Sequence, residues 1–227
     1  MTHAPRVPSL QAAIIDLDGT LVDTLGDFHA ALGRMLEVLG QPAVPRERVA
    51  GFIGKGSEHL IRSVLAHVGA PAGLYAQGWE IYQEVYRCLN GQHAQVYPGV
   101  ADGVRQLRAA GLRLACLTNK PTEFARELLR IKGLAPAFEL VFGGDAFERR
   151  KPDPLPLRKT CEALGVAPAA TLMIGDSSND AAAARAAGCP VVLVSYGYNH
   201  GQPVREVDAD GYVASLAEIP ALLSRWS

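Results

Sequence analysis

Nine residues near the start of the chain, Ala12-Ala13-Ile14-Ile15-Asp16-Leu17-Asp18-Gly19-Thr20, restrict the possible folds more than any other stretch. A short apolar run ends on two carboxylates one residue apart, followed by a glycine and a hydroxyl. The run reads as a buried strand. The acidic pair then sits at the strand's carboxyl end, where open α/β sheets hold their ligands. Two carboxylates at the end of a core strand are costly unless something cationic neutralises them. The same residues could instead serve a turn, hydrogen-bonding loop amides.

After Thr20 the apolar period becomes helical. Leu21, Leu25, Phe28, Leu32, Met35, Leu36 and Leu39 recur at three- and four-residue intervals, and Gly40 supplies a stop. A second stripe, Leu60, Ile61, Val64, Leu65 and Val68, follows Gly56. A third runs through Trp79, Ile81, Tyr82, Val85 and Leu89 and ends near Asn90-Gly91. Residues 23–96 therefore read as an all-helical insert without a strand, closed by Tyr97-Pro98-Gly99. His29, His59 and His67 fall in its helices and read as surface or packing residues.

From Val100 a different register begins. A helix over Val100–Ala110 stops at Gly111, and Leu112–Leu117 reads as a buried strand ending in Thr118-Asn119-Lys120. A helix starts at Pro121-Thr122, and a strand over Phe138–Phe142 ends in Gly143-Gly144-Asp145. A loop carries Lys151-Pro152-Asp153-Pro154, followed by a helix from Leu155 to Gly165. The strand Thr171–Ile174 ends in Gly175-Asp176, the helix Asp180–Ala187 ends at Gly188, and Val191–Val194 is another strand. Strands alternating with helices predict an α/β fold, a doubly wound parallel sheet with the helical unit inserted after its first strand. The predicted organisation is a loose tail over 1–10, a core from 11–22 and 97–227, and a small helical domain over 23–96.

In such a sheet all carboxyl ends share one edge. Asp16 and Asp18, Thr118 and Asn119, the Lys151 loop, and Asp176 with Asp180 are thereby predicted to meet in one crevice. Carboxylates without His or Cys suit a hard cation, most commonly Mg²⁺ held by one or two carboxylates and a substrate phosphate. Asp16 and Asp176, each following directly on a buried strand, are the natural ligands. An ionised Asp16 could attack phosphorus and form an aspartyl-phosphate, with Asp18 passing a proton to the leaving oxygen and later activating water. Lys151, Thr118 and the Asn119 amide would cradle the phosphoryl oxygens. Each element also has an ordinary reading: Thr118-Asn119 as a helix N-cap, Lys151 as a solvated loop lysine, and residues 175–180 as an Asx-turn opening a helix.

Composition narrows the alternatives. A formal net charge of −1 provides no basic field for nucleic acid. No apolar run approaches the ~20 residues of a membrane span, and Met1–Leu10 lacks the apolar core of a signal peptide, so a cytoplasmic location is expected. The four cysteines form no CxxC pair and read as buried, reduced thiols. Oligomeric state is left open.

The four motifs in order resemble those of the haloacid-dehalogenase-like superfamily: Asp16-Leu17-Asp18-Gly19-Thr20, Thr118, Lys151-Pro152 and Gly175-Asp176 with Asp180. The resemblance implies that Asp16 is the nucleophile and Asp18 the acid/base. It further implies that Asp16, the Asp18 backbone carbonyl and Asp176 bind Mg²⁺, and that Asp180 orients metal-bound waters or Lys151. The helical insert looks like the family's small cap, hinged beside Asp18 and at Tyr97-Pro98-Gly99. Asp18 is lacking in the carbon–halogen dehalogenases, which disfavours that activity. Within the superfamily, Ile53-Gly54-Lys55-Gly56, Lys151-Pro152-Asp153-Pro154-Leu155-Pro156-Leu157 and Tyr196-Gly197-Tyr198-Asn199 resemble elements of the phosphoglycolate phosphatases. Two positions depart from that pattern: Ile15 stands where Phe is usual, and His200 where an aromatic residue is typical. The implied function is Mg²⁺-dependent hydrolysis of a small phosphomonoester, 2-phosphoglycolate first, with Gly54, Lys55 and Gly56 near its carboxylate. A phosphosugar mutase of the β-phosphoglucomutase type, or a phosphatase for another small phosphometabolite, is the alternative.

Overall fold

The computed structural model describes residues 10–224. The expected tail lies outside these residues except for Leu10, which packs against the core. A six-stranded sheet, all parallel, is built from β1 (Ala12–Ile15), β4 (Arg113–Leu117), β5 (Leu140–Phe142), β6 (Thr171–Gly175), β7 (Val191–Val194) and β8 (Gly211–Val213), in the order β5-β4-β1-β6-β7-β8. From β1 the chain proceeds outward through β4 and β5, then returns to place β6 on the other side of β1. The strand order therefore reverses between β1 and β6, and a crevice opens outside their carboxyl ends.

Alternation along β1 explains why the sheet is covered on both faces. Ala13 and Ile15 pack into one core with Leu114, Cys116, Leu172 and Ile174, whereas Ala12 and Ile14 face Ala115, Leu117, Met173 and Leu193 on the other side. The helices α5 (Val100–Ala109) and α6 (Thr122–Ile131) contribute to the first core, and α7 (Leu155–Leu164) and α8 (Ser178–Ala187) to the second. The alanines of α8 let it approach the sheet closely.

The segment between β1 and α5 contains α1 (Leu25–Val38), α2 (Arg46–Ala50), α3 (Ser57–His67) and α4 (Tyr75–Leu89), which build a separate apolar cluster. Two core residues join that cluster: Phe124, whose ring meets Tyr86 edge-on at 5.1 Å, and Tyr198 at its margin.

Several boundaries differ from expectation. The helical start predicted at Leu21 is displaced to Leu25, because Val22–Asp23 (β2) pairs antiparallel with Gln95–Val96 (β3). The two crossings into the helical segment are thus tied as a small ribbon where no strand was predicted. The strand expected over Phe138–Phe142 is confined to Leu140–Phe142, since Ala135–Ala137 forms a 3₁₀ turn. Strand β8 and the closing helix α9 (Ile219–Leu223) were not anticipated. Cys116, Cys161 and Cys189 are buried free thiols, but Cys88 is exposed, contrary to the prediction. No helix among the described residues is long and apolar enough to cross a membrane.

Candidate active site

Asp16 follows β1 and is held by its own amide, which donates to the Ile174 carbonyl of β6 at 2.9 Å. Its carboxylate is buried. Oδ1 lies 2.8 Å from Lys151 Nζ as a buried ion pair and has no further partner among the described residues. Burial raises the Asp16 pKa from 3.8 to about 7, against the pull of Lys151 and with the help of Asp180 and Asp18.

Lys151 is also buried. Its ammonium donates to Asp180 Oδ1 at 2.7 Å and to the Leu117 carbonyl at 2.8 Å. Burial alone would lower its pKa; the Asp16 and Asp180 carboxylates hold it above the usual lysine range instead. The Lys151–Pro152 peptide is cis.

Asp176 and Asp180 flank the start of α8. Asp180 Oδ2 accepts from the Ser177 amide at 3.2 Å and the Ser177 hydroxyl at 2.8 Å, a capping box that satisfies the helix's first donors. With Oδ1 on Lys151, both oxygens of Asp180 are committed to the protein. Asp176 accepts from Thr20 Oγ1 at 3.2 Å and from the Tyr198 amide at 2.7 Å. Desolvation, then Asp180 and Asp16, raise its pKa well above the carboxylate range.

Gly19 permits this closeness. Its φ is +88°, and a Cβ there would stand 2.4 Å from Asp176 Oδ2, so an L side chain is excluded by both conformation and space. The loop at Tyr196–Asn199 buttresses the same acid. Tyr198 donates its hydroxyl to Asp23 Oδ1 at 2.7 Å and accepts from the Thr24 amide at 2.8 Å, linking Asp176's surroundings to the ribbon.

The carboxyl end of β4 supplies Thr118, Asn119 and Lys120, all buried. Thr118 Oγ1 accepts from the Lys120 amide at 3.2 Å. Asn119 Nδ2 donates to the Lys151 carbonyl at 2.8 Å and to the Gly54 carbonyl of the helical segment at 2.9 Å. Asn179 Nδ2 donates to the same Gly54 carbonyl at 3.1 Å. Asp18 accepts from Lys120 Nζ at 3.0 Å, and that ammonium also donates to Tyr86 Oη at 2.6 Å.

Lys120 was not assigned a role from sequence. The signal was present nonetheless: a lysine on a strand end that converges with four carboxylates and only one other assigned cation. Gly54 and Gly56 border the cavity enclosed by these groups, whereas the Lys55 side chain is exposed and does not.

That cavity measures about 30 Å³ and is roofed by Phe28, Ile53, Leu60 and Tyr86. Three carboxylates, Asp16, Asp18 and Asp180, and two ammoniums, Lys120 and Lys151, line it, leaving negative charge in excess. Ligand oxygens of Asp16, Asp176 and Asp180 lie within 4.8 Å of one another. Raised pKa values of Asp16 and Asp176 and an all-oxygen donor set fit a hard divalent cation.

Comparisons with known proteins agree with this arrangement. Residues 10–188 match the model of the haloacid dehalogenase-like hydrolases. A phosphoglycolate phosphatase from Thiobacillus denitrificans is 44% identical over 219 residues, covering 95% of this chain and 96% of its own. A plasmid-encoded phosphoglycolate phosphatase from Cupriavidus necator is 46% identical over 214 residues, covering 94% and 93%. Among solved structures, a predicted phosphoglycolate phosphatase from Haemophilus somnus superposes with a TM-score of 0.91 at 29% identity, covering 94% of this chain and 98% of that one. With matches spanning both the α/β core and the helical segment, the chain belongs to the haloacid dehalogenase-like hydrolase family.

Proposed function

We propose that this protein is a phosphatase that hydrolyses 2-phosphoglycolate to glycolate and phosphate through a phosphoryl group carried on Asp16. The observation that carries the reading is the Asp16 carboxylate, buried at the end of β1 against the Lys151 ammonium, with no backbone amide bound to it among the described residues, and lining the cavity. A structural aspartate would be satisfied by amides, as Asp180 is.

Asp16 attacks phosphorus, and the P–O bond to the leaving alkoxide breaks as the new P–O bond forms. Asp18, two residues on, gives the alkoxide a proton; its carboxylate then takes a proton from the water that attacks the acyl phosphate. Lys151 offsets charge on the phosphoryl oxygens and holds Asp16 in place, while Asp180, fixed by the helix cap, holds Lys151. Thr118 and the Asn119 amide complete the cradle. Asp16, Asp176 and the Asp18 backbone carbonyl would hold Mg²⁺. When bound, the ion supplies electrostatic relief between the anionic substrate and the anionic nucleophile.

The substrate assignment is supported by the relatives named phosphoglycolate phosphatase. The helices over 23–96 act as a cap, and Gly54 carbonyl contacts with Asn119 and Asn179 hold it closed. Phosphate release from 2-phosphoglycolate, hexose phosphates and nucleotides with Mg²⁺ tests the proposal. Highest kcat/KM for 2-phosphoglycolate is expected; release from none of them would reject phosphatase activity.

A further inference from the structure

We propose that Lys120 is the residue that reads the substrate's carboxylate, and so sets the preference for short phosphorylated acids. The inference rests on the phosphatase reading above and concerns selection within that site.

Only two cations line the cavity among the described residues, Lys151 and Lys120. Lys151 is fully engaged by Asp16, Asp180 and the Leu117 carbonyl. Lys120 is differently placed. Its ammonium, 4% exposed as a residue, donates to Asp18 Oδ1 and Tyr86 Oη and has no third acceptor among the described residues. An ammonium carries three donors, so one remains for a ligand.

The order of atoms in the substrate makes this position the relevant one. Phosphorus must face Asp16, and the bridging oxygen must face Asp18, which protonates it. The carboxylate is attached one carbon beyond that oxygen and therefore lies within a few bonds of Asp18, whose carboxylate Lys120 Nζ contacts at 3.0 Å. The remaining surroundings there are aromatic: Lys120 Nζ is 4.4 Å from the Phe28 ring centroid and 4.8 Å from that of Tyr86. Such rings hold the ammonium in place, and by excluding water they strengthen its attraction for an anion. Phe28 and Tyr86 come from the helical segment and Lys120 from β4's end, so the complete subsite exists only when the two are together. The Gly54–Gly56 turn lines the same cavity, with its Gly54 carbonyl accepting from Asn119 and Asn179.

The test compares kcat/KM for 2-phosphoglycolate with that for ethyl phosphate, an ester of the same backbone without the carboxylate, in the presence of Mg²⁺. Wild-type protein is expected to favour the acid. In Lys120→Met the preference should fall by about tenfold to 100-fold, the range for losing a charged hydrogen bond, chiefly through KM for the acid. Lys120→Arg should restore part of it. Should Lys120→Met not fold, Tyr86→Phe serves, with an expected fall of about threefold in the same ratio from one lost hydrogen bond. An unchanged ratio in either variant, even with both rates reduced, would mean that Lys120 acts only through Asp18 and would overturn the inference. A wild-type protein that hydrolyses both esters without preference would also overturn it while leaving the phosphatase reading intact. Hydrolysis of neither, nor of any other phosphate ester, would remove both.

Discussion

The sheet rim and the helical segment over 23–96 meet at one cavity but contribute to it in different ways. The rim supplies nearly all the charge: Asp16, Asp18, Lys120, Lys151 and Asp180 each stand at or near a strand's carboxyl end. The helices supply apolar rings and side chains, plus the Gly54 carbonyl and the Tyr86 hydroxyl. The rim's groups are fixed by backbone ladders and caps inside one rigid sheet. The roof is joined to the rim by a few hydrogen bonds, one edge-on ring contact and a two-stranded ribbon. On the proposed reading this is a division of labour: chemistry where the strand ends hold the charged groups, selection and closure where the helical segment meets them.

Substitutions on the two sides should accordingly fail in different currencies. The largest effect is expected from Asp16→Asn, which keeps the shape and removes the proposed nucleophile. Phosphate release should drop by at least about 10⁴-fold, in the range for losing a nucleophile, with circular dichroism unchanged. Gly19→Ala comes next, since its Cβ would press on Asp176. A displaced catalytic group costs about 10²-fold, so kcat should fall by that order and the Mg²⁺ concentration needed for activity should rise. At the contact between the two regions, Asn179→Ala removes one of two rim donors to the Gly54 carbonyl of the roof. There KM should rise about fivefold, the equivalent of one neutral hydrogen bond, while kcat changes little. A kcat loss as large as that of Gly19→Ala would erase the distinction between the two regions.

The smallest expected effect is on stability. Asp16 goes from 3.8 in the unfolded chain to about 7 in the folded one, and Asp176 shifts the same way. The metal-free folded state thus binds protons more tightly, so its stability falls as pH rises from about 4 to about 7. The groups facing Asp16 are Lys151, Asp180 and Asp18. A divalent cation competes with those protons, so Mg²⁺ should raise Tm by several degrees near pH 8 and by less near pH 5.5. Equal Mg²⁺ effects at both values would count against a cation among these carboxylates.

Much of the rim was legible in the sequence because its information is local. Each of β1, β4 and β6 is an apolar run that stops abruptly on a polar residue, and the topology then brings Asp16, Thr118 and Asp176 to one edge. The ribbon of β2 and β3 was not legible, since two-residue strands carry no periodicity and each exists only by pairing with the other. Strand β8, three residues long, is likewise defined by its neighbour β7. Lys120 was overlooked for a related reason. Its partner Asp18 is 102 positions away and its partner Tyr86 is 34, and no spacing rule links them. Lys55 drew attention through the glycines around it, yet the turn faces the rim with its carbonyl and leaves the lysine outside.

The central claim is that Asp16 accepts the phosphoryl group, and rapid acid quench during turnover of 2-phosphoglycolate with Mg²⁺, followed by peptide mapping, tests it most directly. A hydroxylamine-sensitive phosphoryl adduct on the peptide containing Asp16, absent from Asp16→Asn, is the predicted result. Steady phosphate release by the wild type together with an adduct on another residue, or undiminished release by Asp16→Asn, would contradict it.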